Sequence, residues 1–185
     1  MALSHNCILL FVICTLISKQ THFVVGAAND WLAQAECSSA QVPETCMQCL
    51  NSDSLTANVE NRAGIAAIVV GCVKSHSDNL VQEMTQLVAS NHGQVSADQP
   101  LEECCRLLGC AKEEVIAAAQ KIDKCDYEGA DKCMDSAYAY AVQCHQKIDD
   151  ACQKSGMQIS EIVMSEMRVH EQLCDASMRI LERCK

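Results

Sequence analysis

Proline and glycine are scarce, two and seven respectively in 185 residues. A sandwich or barrel ends many strands in tight turns, so an all-β architecture is disfavoured. Aromatic residues make up only 3% of the chain, which leaves a core of small and aliphatic side chains. Cations are outnumbered, 14 Lys and Arg against 24 Asp and Glu, and no stretch is rich in basic residues. That excludes the electrostatic footprint of a nucleic-acid binder. The net charge of −10 favours a basic partner and acts mainly on the rate of encounter. No Asn-x-Ser/Thr sequon occurs, so N-glycans are not expected. Low-complexity and collagen-like readings fail for lack of repeats.

Long apolar runs are also missing. Residues 8–17, Ile-Leu-Leu-Phe-Val-Ile-Cys-Thr-Leu-Ile, form the main one. Ten residues cannot cross a hydrocarbon layer of about 30 Å. Small residues follow at Val25-Gly26-Ala27-Ala28. Together they read as a secretory signal over 1–28, removed on export, with no membrane attachment afterwards.

Cysteine is the residue in excess, at 15. That density means an oxidised secreted chain or a metal-loaded one. Removing 1–28 takes Cys7 and Cys14 and leaves an odd number, so at least one thiol is free or paired between chains. Zinc-finger spacing is incomplete. Cys46-x2-Cys49 has no second Cys-x2-Cys, and His76, His92, His145 and His170 are isolated. No metal and no cofactor is expected. Cys144-His145 is adjacent in sequence, but neighbouring helical residues point about 100° apart, so a nucleophile–base pair is not expected there. Neither Gly-x-Ser-x-Gly nor His-Glu-x-x-His is present, and an enzyme is not expected. A lipid-transfer fold lacks its Cys-x-Cys.

Helical periodicity dominates the rest. Apolar positions recur three or four apart from about Leu55 to Ala89 and from Pro100 to Ile122. The same spacing returns from Tyr127 to Cys152, and from Ser155-Gly156 to the end. Short connectors force neighbouring helices antiparallel, which gives an up-down-up-down four-helix bundle over 55–185. Asn29–Asp53, with Pro43 in a turn, reads as a small helical hairpin too short to hold itself together. His170 falls on the inward face of the last helix and reads as a core histidine.

Several segments resemble the plant invertase and pectin methylesterase inhibitors. They are Glu36-Cys37-Ser38-Ser39-Ala40-Gln41-Val42-Pro43-Glu44-Thr45-Cys46, Leu50-Asn51-Ser52-Asp53, Leu101-Glu102-Glu103-Cys104 with Leu107 and Ala111, Asp126-Tyr127-Glu128, and Gln143-Cys144. The resemblance covers residues 29–185. It implies an all-α fold with a hairpin closed by Cys37–Cys46 and a second bridge, Cys104–Cys144, between bundle helices. It also implies a secreted, apoplastic inhibitor that occludes an enzyme's cleft one to one without covalent chemistry.

The two branches of that family differ in target. Invertase inhibitors carry Pro-Lys-Phe before the third bundle helix, where this chain has Tyr127-Glu128-Gly129. The methylesterase branch carries acids two, six and nine residues after the third family cysteine. Here those positions are Arg106, Cys110 and Glu113. Charge sign and the missing cation favour pectin methylesterase as partner, with invertase, or a divergent secreted interaction role on the same bundle, as the alternatives. Glu113, Asp126, Tyr127, Glu128 and Asp131 are the candidate target contacts. For the surplus cysteines, residues at equal height on the last two helices sum to about 310. That suggests Cys125–Cys184 and Cys133–Cys174 as further bridges.

Overall fold

The computed structural model describes residues 27–53, 59–91 and 95–185. The expected signal segment lies almost wholly outside them. Six helices follow in order: α1 Ala27–Cys37, α2 Pro43–Ser52, α3 Arg62–Asn91, α4 Val95–Ile122, α5 Tyr127–Ser155 and α6 Glu161–Glu182. Helices α3 to α5 hold 28 to 30 residues each. At 1.5 Å per residue they are rods of roughly 42–45 Å.

Local chemistry sets most ends. Pro43 opens α2 as its first residue, where a missing N–H costs nothing, rather than lying in the hairpin turn. The Asn61 carboxamide accepts from Gly64 N–H at 2.9 Å and starts α3. Ser160 caps α6 by accepting from Ile162 N–H. Gly156, at φ 68°, ends α5 in the left-handed region where glycine is least strained. Pro100 does not open α4; it lies inside a helix that starts at Val95.

Each long helix packs on its sequence neighbours, and α3 closes the ring against α6. This is the up-down-up-down bundle. The α1–α2 arm lies across α3 and α6. Helices α4 and α5 share the largest interface, along a seam of fully buried Ala111, Ala118, Ala130 and Ala137. Alanine lets two backbones approach without a bulky side chain between them.

The core divides into two apolar clusters. One, under the arm, includes Leu50, Ile65, Val69, Met134 and Ile180. The other, toward the far end, includes Leu80, Met84, Leu108, Ile148 and Met167. A polar pair, Ser77 of α3 and His170 of α6, lies at the level where one cluster gives way to the other. Its Oγ···Nε2 distance is 2.8 Å.

Three disulfides are formed among the described residues. Cys37–Cys46 closes the arm, Cys104–Cys144 joins α4 to α5, and Cys49–Cys72 ties α2 to α3. The height rule fails for Cys133 and Cys174, both of which are thiols. Equal height does not fix the direction in which a side chain leaves its helix. Cys133 turns toward Glu114 of α4 and bonds its carboxylate. Cys174 turns into the core, its Sγ 3.7 Å from His170 Nδ1. Cys125 and Cys184 are also unbridged. Cys125 stands exposed on the α4–α5 turn, and the Cys184 thiol donates to the Ile180 carbonyl at 3.4 Å.

The arm is anchored by a buried carboxylate. Glu36 is only 3% exposed and accepts from Arg62 Nε at 2.8 Å and from Arg183 Nη2 at 2.7 Å. Arg62 also donates to the Arg183 carbonyl. One side chain thus gathers the arm, the start of α3 and the end of α6. Gln41 N–H to Asp175 and Thr45 to Gln172 add two further ties to α6.

Candidate functional site

The α4–α5 turn is built by backbone rules. Cys125 N–H donates to the Ile122 carbonyl and Asp126 N–H to the Lys121 carbonyl, both at 2.9 Å. This is the six-to-one, five-to-two pairing of a Schellman ending. Cys125 holds the left-handed position at φ 58°. Asp126 then caps α5, its Oδ1 accepting from Gly129 N–H at 2.9 Å while Oδ2 meets Lys121 Nζ at 3.0 Å. The Gly129 bond, and after it Lys121, hold the Asp126 carboxyl below its usual range. Any side chain at residue 129 would collide with that carboxylate and with the Lys121 ammonium. A side chain there would have to push the Asp126 carboxylate and the Lys121 ammonium aside, and so disturb the cap.

Four of the five candidate contacts gather here. Asp126 is an exposed helix cap. Tyr127 is half-buried, and its hydroxyl bonds the Cys125 thiol. Glu128 is exposed and paired with Lys132 at 2.7 Å. Asp131 is half-buried and paired with Lys185 at 2.7 Å. Glu113 is not brought to this end. It projects from α4 more than two turns away, between Lys112, which pairs with Asp78 of α3, and Glu114, which bonds Cys133 of α5. The acidic face is thus largely neutralised by its own lysines at the turn. Its bare carboxylates include Glu113 and Asp135.

The positions that carry acids in the methylesterase branch have their own geometry. Arg106 forms a two-pronged pair with Glu103, at 2.8 and 2.9 Å, and its Nη1 lies 3.8 Å from the Cys110 sulfur. The Glu103 bond keeps Arg106 firmly protonated, and Arg106 in turn lowers the Glu103 carboxyl. Beside them an open groove of about 740 Å³ runs between α4 and α5, lined by Glu103, Arg106, Lys147, Asp150 and Lys154.

Sequence reading missed the Cys49–Cys72 bridge and the partners of His170. Ser77 donates to the Val73 carbonyl at 2.9 Å, so its oxygen is free to accept from His170 Nε2–H. That assigns the neutral tautomer with Nδ1 open to the Cys174 S–H. Burial pushes His170 down to about 4 and pushes the Cys174 thiol up. Both are 0% exposed, so this Ser–His–Cys cluster is core structure rather than a reacting centre. Among the described residues no group of three His, Cys, Asp or Glu is placed to hold a metal ion. No helix among them is long and apolar enough to cross a membrane.

The described residues thus form a disulfide-closed helical arm strapped to an antiparallel four-helix bundle. Solved structures share this fold. A mutant form of a pectin methylesterase inhibitor from Arabidopsis aligns with a TM-score of 0.66 at 14% identity, over 79% of this chain and 92% of that one. A pectin methylesterase inhibitor from Arabidopsis thaliana aligns at 0.62 and 13%, over 83% and 95%. The chain has the fold of these inhibitors. No family model and no curated protein sequence matches it.

Proposed function

We propose that the chain is a secreted inhibitor that binds a pectin methylesterase one to one, without covalent chemistry, and covers its active-site cleft. The observation that carries this reading is the extent of the likeness, which takes in arm and bundle together over nearly the full length of both inhibitors. Three disulfides and the leading apolar run fit an oxidising, apoplastic route. The excess of acid fits a basic enzyme surface.

Geometry at the α4–α5 turn supports methylesterase over invertase. Residues 127–129 form the first turn of α5, with Glu128 paired to Lys132 and Gly129 bonded to Asp126. A segment fixed in that way, and bearing a carboxylate, is poorly suited to enter a site lined with catalytic carboxylates. A divergent secreted interaction role is the remaining reading.

The test is to titrate the purified chain, residues 29–185, into pectin methylesterases and acid invertases at cell-wall pH. Saturable loss of methylesterase activity at one equivalent is expected. Unchanged activity of every methylesterase with loss of invertase activity would reverse the preference. No effect on either class would remove both targets.

A further inference from the structure

The three bridges differ in what surrounds them. Cys37, Cys46, Cys104 and Cys144 are each 0% exposed. Cys49 is 7% exposed, and Cys72 is partly open to solvent. Both line a cavity of about 510 Å³ where α2, α3 and α6 meet, a volume typical of small-molecule clefts. Neither of the other two bridges borders it.

The walls are largely polar. Gln48 comes from α2 and Ser75 from α3, and His76, one turn beyond Cys72, meets Glu166 of α6 at 3.0 Å. Gly71 brings no side chain to this wall, and nothing lies within 4 Å of where its Cβ would stand. The bridge from α2 to α3 therefore stands beside open polar space, whereas the other two are enclosed. Thiol–disulfide exchange requires a thiolate to reach a disulfide sulfur, so its rate follows access.

We propose that Cys49–Cys72 is a thiol-exchange site, at which a small monothiol of the glutathione class enters the cavity, adds to Cys72 and releases α2 from α3. The reagent thiolate attacks the Cys72 sulfur, and a new S–S bond forms there. The Cys49–Cys72 bond breaks, its electron pair goes to Cys49, and that sulfur takes a proton from water. The Ile68 carbonyl, 4.0 Å from the Cys49 sulfur, is in place to accept from the new S–H. A second equivalent attacks the reagent sulfur of the mixed disulfide and returns Cys72 as a thiol. Two small thiols have become one small disulfide, and the protein bridge has become two thiols. Cys37–Cys46, the Glu36 ion pairs and the Thr45–Gln172 bond still hold the rest of the arm on the bundle. The site exists whatever the bundle binds.

The experiment incubates the chain, residues 29–185, with reduced glutathione at neutral pH without denaturant. Samples are trapped over time with iodoacetamide and digested with trypsin without reduction. Cuts after Arg62 and Lys74 give peptide 63–74, whose one cysteine is Cys72, and leave Cys49 on the preceding peptide. The Cys49–Cys72 link should disappear about tenfold faster than Cys37–Cys46 or Cys104–Cys144, with the glutathione adduct on peptide 63–74. Gly71→Phe puts a side chain at the cavity wall and takes a glycine out of a helix interior, so the fold is not put at risk. It should slow loss of the Cys49–Cys72 link severalfold and leave the other two bridges unchanged. In concentrated urea every sulfur is open, and the lead of Cys49–Cys72 should vanish. Earlier or simultaneous opening of another bridge, an adduct at Cys49 in place of Cys72, a rate untouched by Gly71→Phe, or a lead that persists in urea would each overturn the proposal.

Discussion

His170 shows how one buried ring makes stability depend on pH. Its folded value is about 4 against an ordinary 6.5, chiefly from burial and then from nearby His76. Between those values the unfolded chain binds a proton that the folded chain refuses. Stability therefore falls as pH drops from about 6.5 toward 4 and stops falling below it. The loss across that window is expected to be about 3 kcal/mol. Protonation would also point Nδ1–H at the Cys174 thiol, which now donates to that atom. His170→Gln should remove most of the slope between pH 6.5 and 4.5, read as urea midpoints. A slope unchanged in the variant would place its origin elsewhere. Glu36 makes the complementary case of a buried charge kept by its partners. Glu36→Ala would strand the Arg183 guanidinium, whose Nε is already buried without a partner, and lower stability by about 3 kcal/mol. Limited proteolysis should then cut first within residues 27–53.

At the scale of elements, α4 and α5 carry most of what the sequence marked as candidate contacts, and the structure sorts them by job. Asp126 is committed to its cap and Tyr127 to the Cys125 thiol, whereas Glu113 projects freely. Rim charges act through encounter, so Glu113→Lys and Glu128→Lys should each slow association with a methylesterase by roughly threefold to tenfold at low salt, with little change in dissociation. The double variant should also flatten the salt dependence. Stopped-flow or surface-binding kinetics in two salt concentrations would show it, and unchanged association rates in both variants would count against this face. Asp126→Ala differs in kind: it removes a helix cap, so it should lower the melting temperature while the lysine variants leave it nearly unchanged.

At the scale of the molecule, the arm is held by two kinds of staple. Cys37–Cys46 makes it a hairpin; Cys49–Cys72 and the Glu36 cluster make it part of the bundle. Replacing both Cys49 and Cys72 by Ser should cost about 3 kcal/mol, by the entropy of the loop they close. Cys104→Ser should lower the melting temperature more than Cys152→Ser, since Cys152 is a half-exposed thiol in no bridge. Equal melting temperatures for those two variants would mean that the α4–α5 bridge contributes nothing to stability.

Helix count, order and inward faces were legible in the sequence because a 3.6-residue period and short connectors leave few alternatives. Val163, Met167, His170, Leu173 and Ile180 fall inward by spacing alone. Alanine-rich seams and scarce turn formers likewise fix an all-α bundle before any coordinate is known. Direction around each helix was not legible. Sequence spacing gives height along an axis, and height alone pairs Cys133 with Cys174, although one faces Glu114 and the other His170. The same blindness hid Cys49–Cys72, whose partners meet only once the arm has docked. Charge is a further case: composition fixes an acidic chain, but only packing decides which carboxylates are tied to Lys121, Lys132 and Lys185 and which are left for a partner. Periodicity is a local property carried by the chain itself, whereas azimuth and ion pairing are set by neighbours distant in sequence.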